Sequence, residues 1–136
     1  MLSRLIYRSV SKNPSGEDVA NILSASRRNN REIGITGALC HLRGTYMQYL
    51  EGEEAAIECV MAAILQDQRH CNLSILEFRF IAARAFPQWS MAMLEWSRDI
   101  EVTLGPLADM GLHGITCTSA APVFRALTAL KAWRAL

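Results

Sequence analysis

A glutamine lies in the middle of the apolar and aromatic stretch GTYMQYLEG, residues 44–52. The primary amide of Gln48 can both donate and accept hydrogen bonds. Burying such a group without partners costs roughly 1–3 kcal/mol, so the amide needs a specific partner inside the fold. A candidate partner is the phenol of Tyr7, which lies in the alternating stretch LSRLIYRS near the N-terminus. Whether the two can meet depends on the elements that carry them.

The charge balance argues against several classes of function. The chain has 14 basic and 13 acidic residues and a formal net charge of +1, which disfavours a broad phosphate-binding surface for nucleic acid. No apolar run reaches the ~20 residues that span a bilayer, and Arg4 and Arg8 interrupt any signal-peptide core. We therefore expect a soluble cytoplasmic protein that binds neither nucleic acid nor a membrane.

The cysteines and histidines do not form a metal-binding pattern. No two of the four cysteines stand in a CxxC pair, and no two of the three histidines are at helical ligand spacing. We predict reduced thiols, as is usual in the cytosol, and no metal site.

Hydrophobic periodicity predicts five strands and two helices before residue 96. The strands are predicted at residues 2–9, 35–42, 45–51, 74–82 and 88–94. The helices are predicted from Ser15 to about Asn30 and over residues 53–68. Arg43 and Gly44 form a hairpin signal between the second and third strands.

The order β-α-β-β-α-β-β predicts an α+β fold of the ferredoxin-like type with one extra strand. In that topology the first and third strands are neighbours, and both helices cover one face of the sheet. Tyr7 and Gln48 would then lie side by side under the helices, where water is scarce. A hydrogen bond that simply satisfies both groups is one interpretation of this placement.

The second face of the sheet also carries apolar residues and needs a cover. The segment PVFRALTALKAWRAL has a helical stripe on which Val123, Leu127, Leu130 and Trp133 lie. We predict a domain over residues 1–96 and a helical cap over residues 97–136 on the other sheet face, within the same structural unit.

Six short motifs then occur in order at compatible spacing. They are Tyr7-Arg8-Ser9, SRRNN (26–30), ITGAL (35–39), Gln48 with LEG (50–52), DQRH (67–70) and FPQWSM (86–91). Together they resemble the BLUF domain, the family of blue-light sensors that use FAD, over about residues 2–95. The resemblance implies a photoreceptor of the short single-domain type that binds FAD non-covalently and is not an enzyme.

The resemblance also implies roles for individual residues. Tyr7 corresponds to the photoactive tyrosine and Gln48 to the switching glutamine. Electron and proton transfer from Tyr7 to the flavin would rearrange the hydrogen bonds of Gln48 and give a red-shifted signalling state. Trp89 and Met91 correspond to a pair on the last strand, at the flavin side, that is linked to signal output. The other cofactor-binding positions are Ile22, Ser26, Arg27, Asn30, Ile64, Arg69 and His70.

The chemistry of these residues is consistent with a flavin. Its ring needs a flat apolar slot and hydrogen-bond donors for its carbonyl oxygens. Ile22 and Ile64, one on each helix, can sandwich the ring, while Asn30, Arg69 and Gln48 can donate. Arg27 is placed either to meet the pyrophosphate or to end a solvated helix, and only the resemblance separates FAD from FMN.

Two other function classes stay open on the residues alone. A flavoprotein reductase or a small ferredoxin-like hydrolase would need an acid–base pair at a cleft, which the sequence does not show. A ferredoxin-like module could instead bind a small ligand or a protein without light chemistry. Because no effector domain is evident, we expect a photoreceptor to signal to an unknown downstream protein or to another copy in a homo-oligomer.

Overall fold

A computed structural model describes seven stretches of the chain. They are residues 1–11, 28–42, 45–66, 70–87, 89–95, 120–127 and 134–135. The strands β1 to β6 are Leu2–Ser11, Thr36–Leu42, Thr45–Glu53, His70–Phe80, Ala92–Glu95 and Arg134–Ala135. The helices are α1, described over residues 28–33, α2 at Glu54–Gln66, and α3 at Ala120–Leu127. No helix in these stretches is long and apolar enough to cross a membrane.

The strands form a sheet in the order β4-β1-β3-β2-β5-β6. β1 pairs antiparallel with β3 and β4, while β2 pairs antiparallel with β3 and parallel with β5. The predicted α+β, ferredoxin-like class is therefore confirmed, with the first and third strands as neighbours. Tyr7 and Gln48 are direct cross-strand partners, so their side chains leave the sheet on the same face.

We call the face that carries Tyr7 and Gln48 the helix face, because α2 packs on it. Leu5, Leu50 and Ile57 are fully buried there, with Ile57 contributed by α2. Val60, Met61 and Ile64 of α2 pack against the same cluster as partly buried residues. The apolar side chains on one face of β1 thus contact the apolar stripe of α2, as the period of two in the strand and of 3.6 in the helix predicts.

The opposite face of the sheet is covered in part by α3. Val123 and Phe124 of this helix are buried, and the Phe124 ring centroid lies 5.1 Å from that of Tyr49. Tyr49 is the neighbour of Gln48 in β3, so strand alternation places it on the opposite face. Residues Leu130 and Trp133 of the predicted stripe lie outside the described stretches.

The first helix continues past its predicted end near Asn30. It stays helical to residue 33 and closes at Gly34, whose φ is 73°. The backbone N–H of Ile35 donates to the carbonyl of Asn30 at 2.9 Å, which is the 6→1 bond of a Schellman motif. The predicted start of this helix at Ser15 lies outside the described stretches.

The pairing of strands corrects several other predicted bounds. β4 begins at His70 rather than residue 74 because it pairs with β1 as far as Ser11. β5 begins at Ala92 rather than residue 88, because the regular parallel pairing with β2 starts only where Ala38 lies opposite Ala92. The Trp89 carbonyl accepts from the Gly37 N–H, and the Ser90 carbonyl accepts from a side chain.

The end of the chain also departs from the predicted helical cap over residues 97–136. Arg134 and Ala135 form a short strand, β6, that pairs antiparallel with β5. β5 already pairs with β2 on one side, and its other side offers free backbone groups that a returning strand can satisfy. Helical periodicity in the sequence does not reveal this pairing.

Two glycines provide a test of how closely the strands approach. A Cβ on Gly37 would lie 2.0 Å from the Tyr49 carbonyl oxygen, whereas a Cβ on Gly34 would meet nothing within 4 Å. Gly37→Ala should therefore lower the free energy of unfolding by about 3 kcal/mol or more. Gly34→Ala should cost only about 1–2 kcal/mol, because the cost comes from its positive φ alone. Denaturant unfolding followed by circular dichroism measures both, and an equal or smaller loss for Gly37→Ala would contradict the close approach of β2 and β3.

Candidate functional site

The helix face holds a buried pair of polar side chains. The Tyr7 hydroxyl donates a hydrogen bond to Oε1 of Gln48. Tyr7 is 6% exposed and Gln48 is 3% exposed, so the bond is shielded from water. The Gln48 amide oxygen thus accepts a hydrogen bond from the Tyr7 phenol of the neighbouring strand, the candidate partner expected from the sequence.

The other end of the Gln48 amide faces Met91. Its Nε2 lies 3.5 Å from the Met91 sulfur, and Met91 is fully buried. Within the described stretches that sulfur is the only hydrogen-bond acceptor for the amide nitrogen. A thioether is a weak acceptor, so the nitrogen keeps donor capacity for a stronger one.

Asn30 joins the end of α1 to the segment that precedes β5. The residue is 3% exposed, and its Nδ2 donates to the Ser90 carbonyl at 3.3 Å. Ser90 is next to Met91 in the chain, so Asn30 and Gln48 both contact this segment. Two amide side chains, from α1 and β3, therefore converge at one end of β5.

Of the two residues predicted to sandwich the ring, the structure describes Ile64. Ile64 lies on α2 and packs against the cluster that contains Tyr7. Of His70 the structure describes only the backbone, which pairs with Ser11 at the start of β4. Four predicted cofactor-binding residues lie outside the described stretches, namely Ile22, Ser26, Arg27 and Arg69.

The side chains of Trp89 and Met91 have different partners. Met91 contacts Gln48 on the helix face, whereas the Trp89 ring stacks on Phe86 with centroids 5.4 Å apart and 21° between the planes. Phe86 in turn meets Tyr49 edge-on at 5.0 Å, on the opposite face. The Trp89 ring thus packs with an aromatic group of the opposite face, and its role in signal output stays a prediction. Residues 88–91 are not strand, so strand alternation does not govern their side chains.

Sequence reasoning missed a buried acidic side chain on β3, on the face opposite Gln48. Glu51 is fully buried, and its carboxylate accepts hydrogen bonds from the backbone N–H groups of Ala85, at 2.8 Å, and Phe86. Burial raises the pKa of Glu51, while these two bonds and the charge of Arg84 act in the opposite direction. An acidic residue within the otherwise uncharged stretch TYMQYLEG is the sequence signal that could have pointed to it.

A second tyrosine adjoins Gln48 but takes no part in this pair. Tyr49 points to the opposite face, where Nη1 of Arg4 lies 3.4 Å from its hydroxyl oxygen. Burial raises the pKa of Tyr49 despite the hydrogen bond from Arg4, which favours the ionised form. Tyr46 lies on the Gln48 face, two residues away on the same strand, but it is the Tyr7 hydroxyl that donates to the Gln48 amide oxygen.

These features fit a flat, polar-edged aromatic ligand such as a flavin. Among the described residues the Gln48 nitrogen has only a weak acceptor, Asn30 is a second amide nearby, and α2 supplies apolar side chains. The fold and the site together define a ferredoxin-like α+β domain of the flavin-binding type.

The family model described as sensors of blue-light using FAD, BLUF, matches residues 2–92. The chain belongs to the BLUF family, and is thus a blue-light-sensing, flavin-binding domain.

Solved structures of that family share the fold over almost the whole chain. The ground state of BlsA has a TM-score of 0.86 at 26% identity, covering 97% of this chain and 91% of BlsA. The dark state of BlrB, a BLUF protein, has a TM-score of 0.80 at 29% identity, covering 94% of this chain and 96% of BlrB.

A curated relative is much longer than this chain. The photoactivated adenylate cyclase subunit beta of Euglena gracilis is 29% identical over 111 residues, which are 80% of this chain. The match spans only 13% of the cyclase subunit. Most of the relative therefore has no counterpart in this match.

Proposed function

We propose that this protein is a blue-light photoreceptor in which Tyr7 and Gln48 form the photoactive pair for a non-covalently bound FAD. The observation that carries the proposal is the buried hydrogen bond from the Tyr7 hydroxyl to Gln48 Oε1. It joins a potential electron and proton donor to the one amide on β3 that faces the helices. The proposed light response uses the Tyr7 phenol and the Gln48 amide and needs no acid–base pair. We therefore propose a sensor and not an enzyme.

The cofactor would be held by the residues that the family resemblance assigns. Ile64 stands on α2 beside the Tyr7 cluster, and Ile22 would close the slot from α1. Asn30 is already buried at the edge of the site, which suits a bond to a polar ring edge. The proposed remainder of the binding set is Ser26, Arg27, Arg69 and His70.

Bound flavin would supply the absorption of blue light and an excited state that accepts an electron. Tyr7 is positioned to give up an electron and its hydroxyl proton, since that hydroxyl donates directly to Gln48. Once the Tyr7 hydroxyl proton has left, the Gln48 amide can rotate or tautomerise and so reverse its pattern of donor and acceptor.

Such a reversal would change the contact between Gln48 and Met91. The Met91 sulfur can accept a hydrogen bond from the Gln48 nitrogen but has no hydrogen to donate to an amide oxygen. Rotation of the amide would therefore remove the contact that fixes Met91 beside β3. The changed bond is worth only ~1 kcal/mol net, enough to shift a balanced equilibrium several-fold but not to refold a domain.

The signal would leave through the segment from Met91 to α3, toward a separate partner protein or another copy of this chain. α3 packs on the opposite face through Val123 and Phe124, and it follows β5 in the chain. We propose that a small displacement at the start of β5 changes how α3 packs on that face.

The first experiment tests sensing itself. We expect the purified protein to carry one non-covalent flavin per chain and to shift its absorption reversibly to the red under blue light. The shift follows if light leaves a stronger hydrogen bond at a flavin carbonyl. The measurement is an absorption spectrum before and after illumination, with the released cofactor identified as FAD or FMN by chromatography. A chain refolded in excess FAD that binds none would refute the function.

A second prediction separates switching from binding. Tyr7→Phe removes only a hydroxyl, and Gln48→Leu removes the amide at similar volume, so both should keep flavin and lose the red-shifted state. Asn30→Ala should instead weaken flavin binding, because a buried ring-edge bond is worth ~1–3 kcal/mol. Flavin titration and light-minus-dark spectra distinguish the two effects. A normal photocycle in Tyr7→Phe would remove Tyr7 from the donor role.

A third prediction concerns the output. Light should loosen residues 88–136 slightly, because Met91 loses its contact with Gln48, while β1 and β3 keep their protection. Hydrogen exchange by mass spectrometry in dark and light measures this. Tyr7→Phe serves as the matched control that binds flavin without switching. Equal exchange in both states, with the photocycle intact, would exclude this output route.

A further inference from the structure

The segment between β4 and β5 is tied to the sheet by two charged side chains. Residues 84–87 cross the edge where β3 ends and where α1 passes into β2. Their contacts involve Glu51 of β3 and Arg84 of the segment itself. We call this pair the Glu51–Arg84 clamp.

The Glu51 carboxylate fixes the backbone of the segment. Oε2 accepts from the Ala85 N–H at 2.8 Å, and Oε1 accepts from the Phe86 N–H. Two successive N–H groups bound by one carboxylate leave little freedom for the peptide between them. Because Glu51 is fully buried, water does not compete for these bonds.

Arg84 fixes the same segment from the other direction. Its Nη1 lies 2.8 Å from the Thr36 hydroxyl and 3.1 Å from the Glu51 carbonyl oxygen. Its Nη2 lies 2.7 Å from the Gly34 carbonyl oxygen. One planar guanidinium thus spans the end of α1, the start of β2 and the end of β3.

The clamp determines where the Phe86 ring lies. That ring is 4% exposed and sits among three aromatic neighbours on the opposite face. Its centroid is 5.0 Å from Tyr49, 5.4 Å from Trp89 and 6.3 Å from Phe124 of α3. Phe86 is therefore the side chain that links the stacked Trp89 to the C-terminal helix.

The clamp and the photoactive pair share β3 as a common support. Gln48 and Glu51 are three residues apart, so they leave the strand on opposite faces. Gln48 holds Met91 at one end of residues 84–91, and Glu51 holds Ala85 and Phe86 at the other. Between these anchors the Trp89 backbone is bonded to Gly37 and Phe86, and the Ser90 carbonyl accepts from Asn30. The Trp89 ring stacks on the fixed Phe86, so it is the side chain through which a displacement of Met91 would reach Phe86.

We propose that Glu51 and Arg84 are positioning residues for signal output, because they fix Phe86 and so make Trp89 transmit the displacement of Met91 to α3. The proposal rests on the proposed light-driven function for its trigger. Without the clamp, residues 84–91 would absorb the displacement, and α3 would no longer respond to light.

The test compares Glu51→Gln with Glu53→Gln in the full flavin-loaded chain. A glutamine at position 51 has a single acceptor oxygen, so one of the two N–H groups would meet an amide nitrogen. Glu53 is on the same strand with its side chain 68% exposed, so Glu53→Gln makes the same charge change outside the clamp. Arg84→Lys is the second clamp variant, because an ammonium cannot reproduce the fork, and it decides the matter if Glu51→Gln does not fold.

Hydrogen exchange and absorption are measured together in dark and light. In a clamp variant we expect dark exchange at residues 85–86 to rise about tenfold, the value for loss of a buried bond. The red-shifted state should form at full amplitude, while the light-minus-dark difference over residues 120–127 disappears. Glu53→Gln should match the wild type in all three measurements.

A merely structural role would lower the unfolding midpoint but leave that light-minus-dark difference intact, and this result would overturn the proposal. If the wild type photocycles without any change at residues 120–127, the relay through the clamp is also overturned while sensing stands. If the wild type shows no red shift, the proposed photochemistry fails, and dark exchange at residues 85–86 and 120–127 still decides whether the clamp holds α3.

Discussion

The hydrogen bond between Tyr7 and Gln48 depends on the register of β1 against β3. The two residues face each other directly across an antiparallel pair, so their side chains leave the same side of the sheet. A slip of one residue would turn Gln48 to the opposite face and leave its amide among aromatic rings. The register is in turn fixed by apolar partners on the same face, such as Leu5 opposite Leu50. The core that stabilises the fold is thus also what aligns the polar pair.

Two polar side chains of the apolar strand β3, Gln48 and Glu51, are stabilised by partners that lie far away in the sequence. Gln48 is bound by Tyr7 and faces Met91, and Glu51 is bound by the backbone of residues 85–86. Neither side chain is left buried without partners, which is the costly case. Met91 and residues 85–86 all belong to the segment before β5. The polar groups therefore specify where that segment lies.

Membership of the BLUF family explains why so much of this small domain serves one site. In BlsA and BlrB the same fold makes up nearly the whole protein, whereas in the Euglena cyclase subunit the matching part is a small fraction. The proposed output, a rearranged Gln48 amide worth about 1 kcal/mol, would be local and low in energy and so suits both settings.

The sequence by itself determined the element order, the faces of the central strands and the meeting of Tyr7 with Gln48, because these follow from periods of two and 3.6 and from one familiar topology. The short motifs SRRNN and FPQWSM also singled out Asn30 and Met91 as candidate functional residues. The tertiary structure alone decided that Trp89 stacks on Phe86, that β5 starts at Ala92, and that Arg134 and Ala135 return to the sheet. The partners of Glu51 were equally hidden. In each case the outcome depends on packing or on backbone pairing that forms only in the folded chain, and the local sequence pattern does not contain that information.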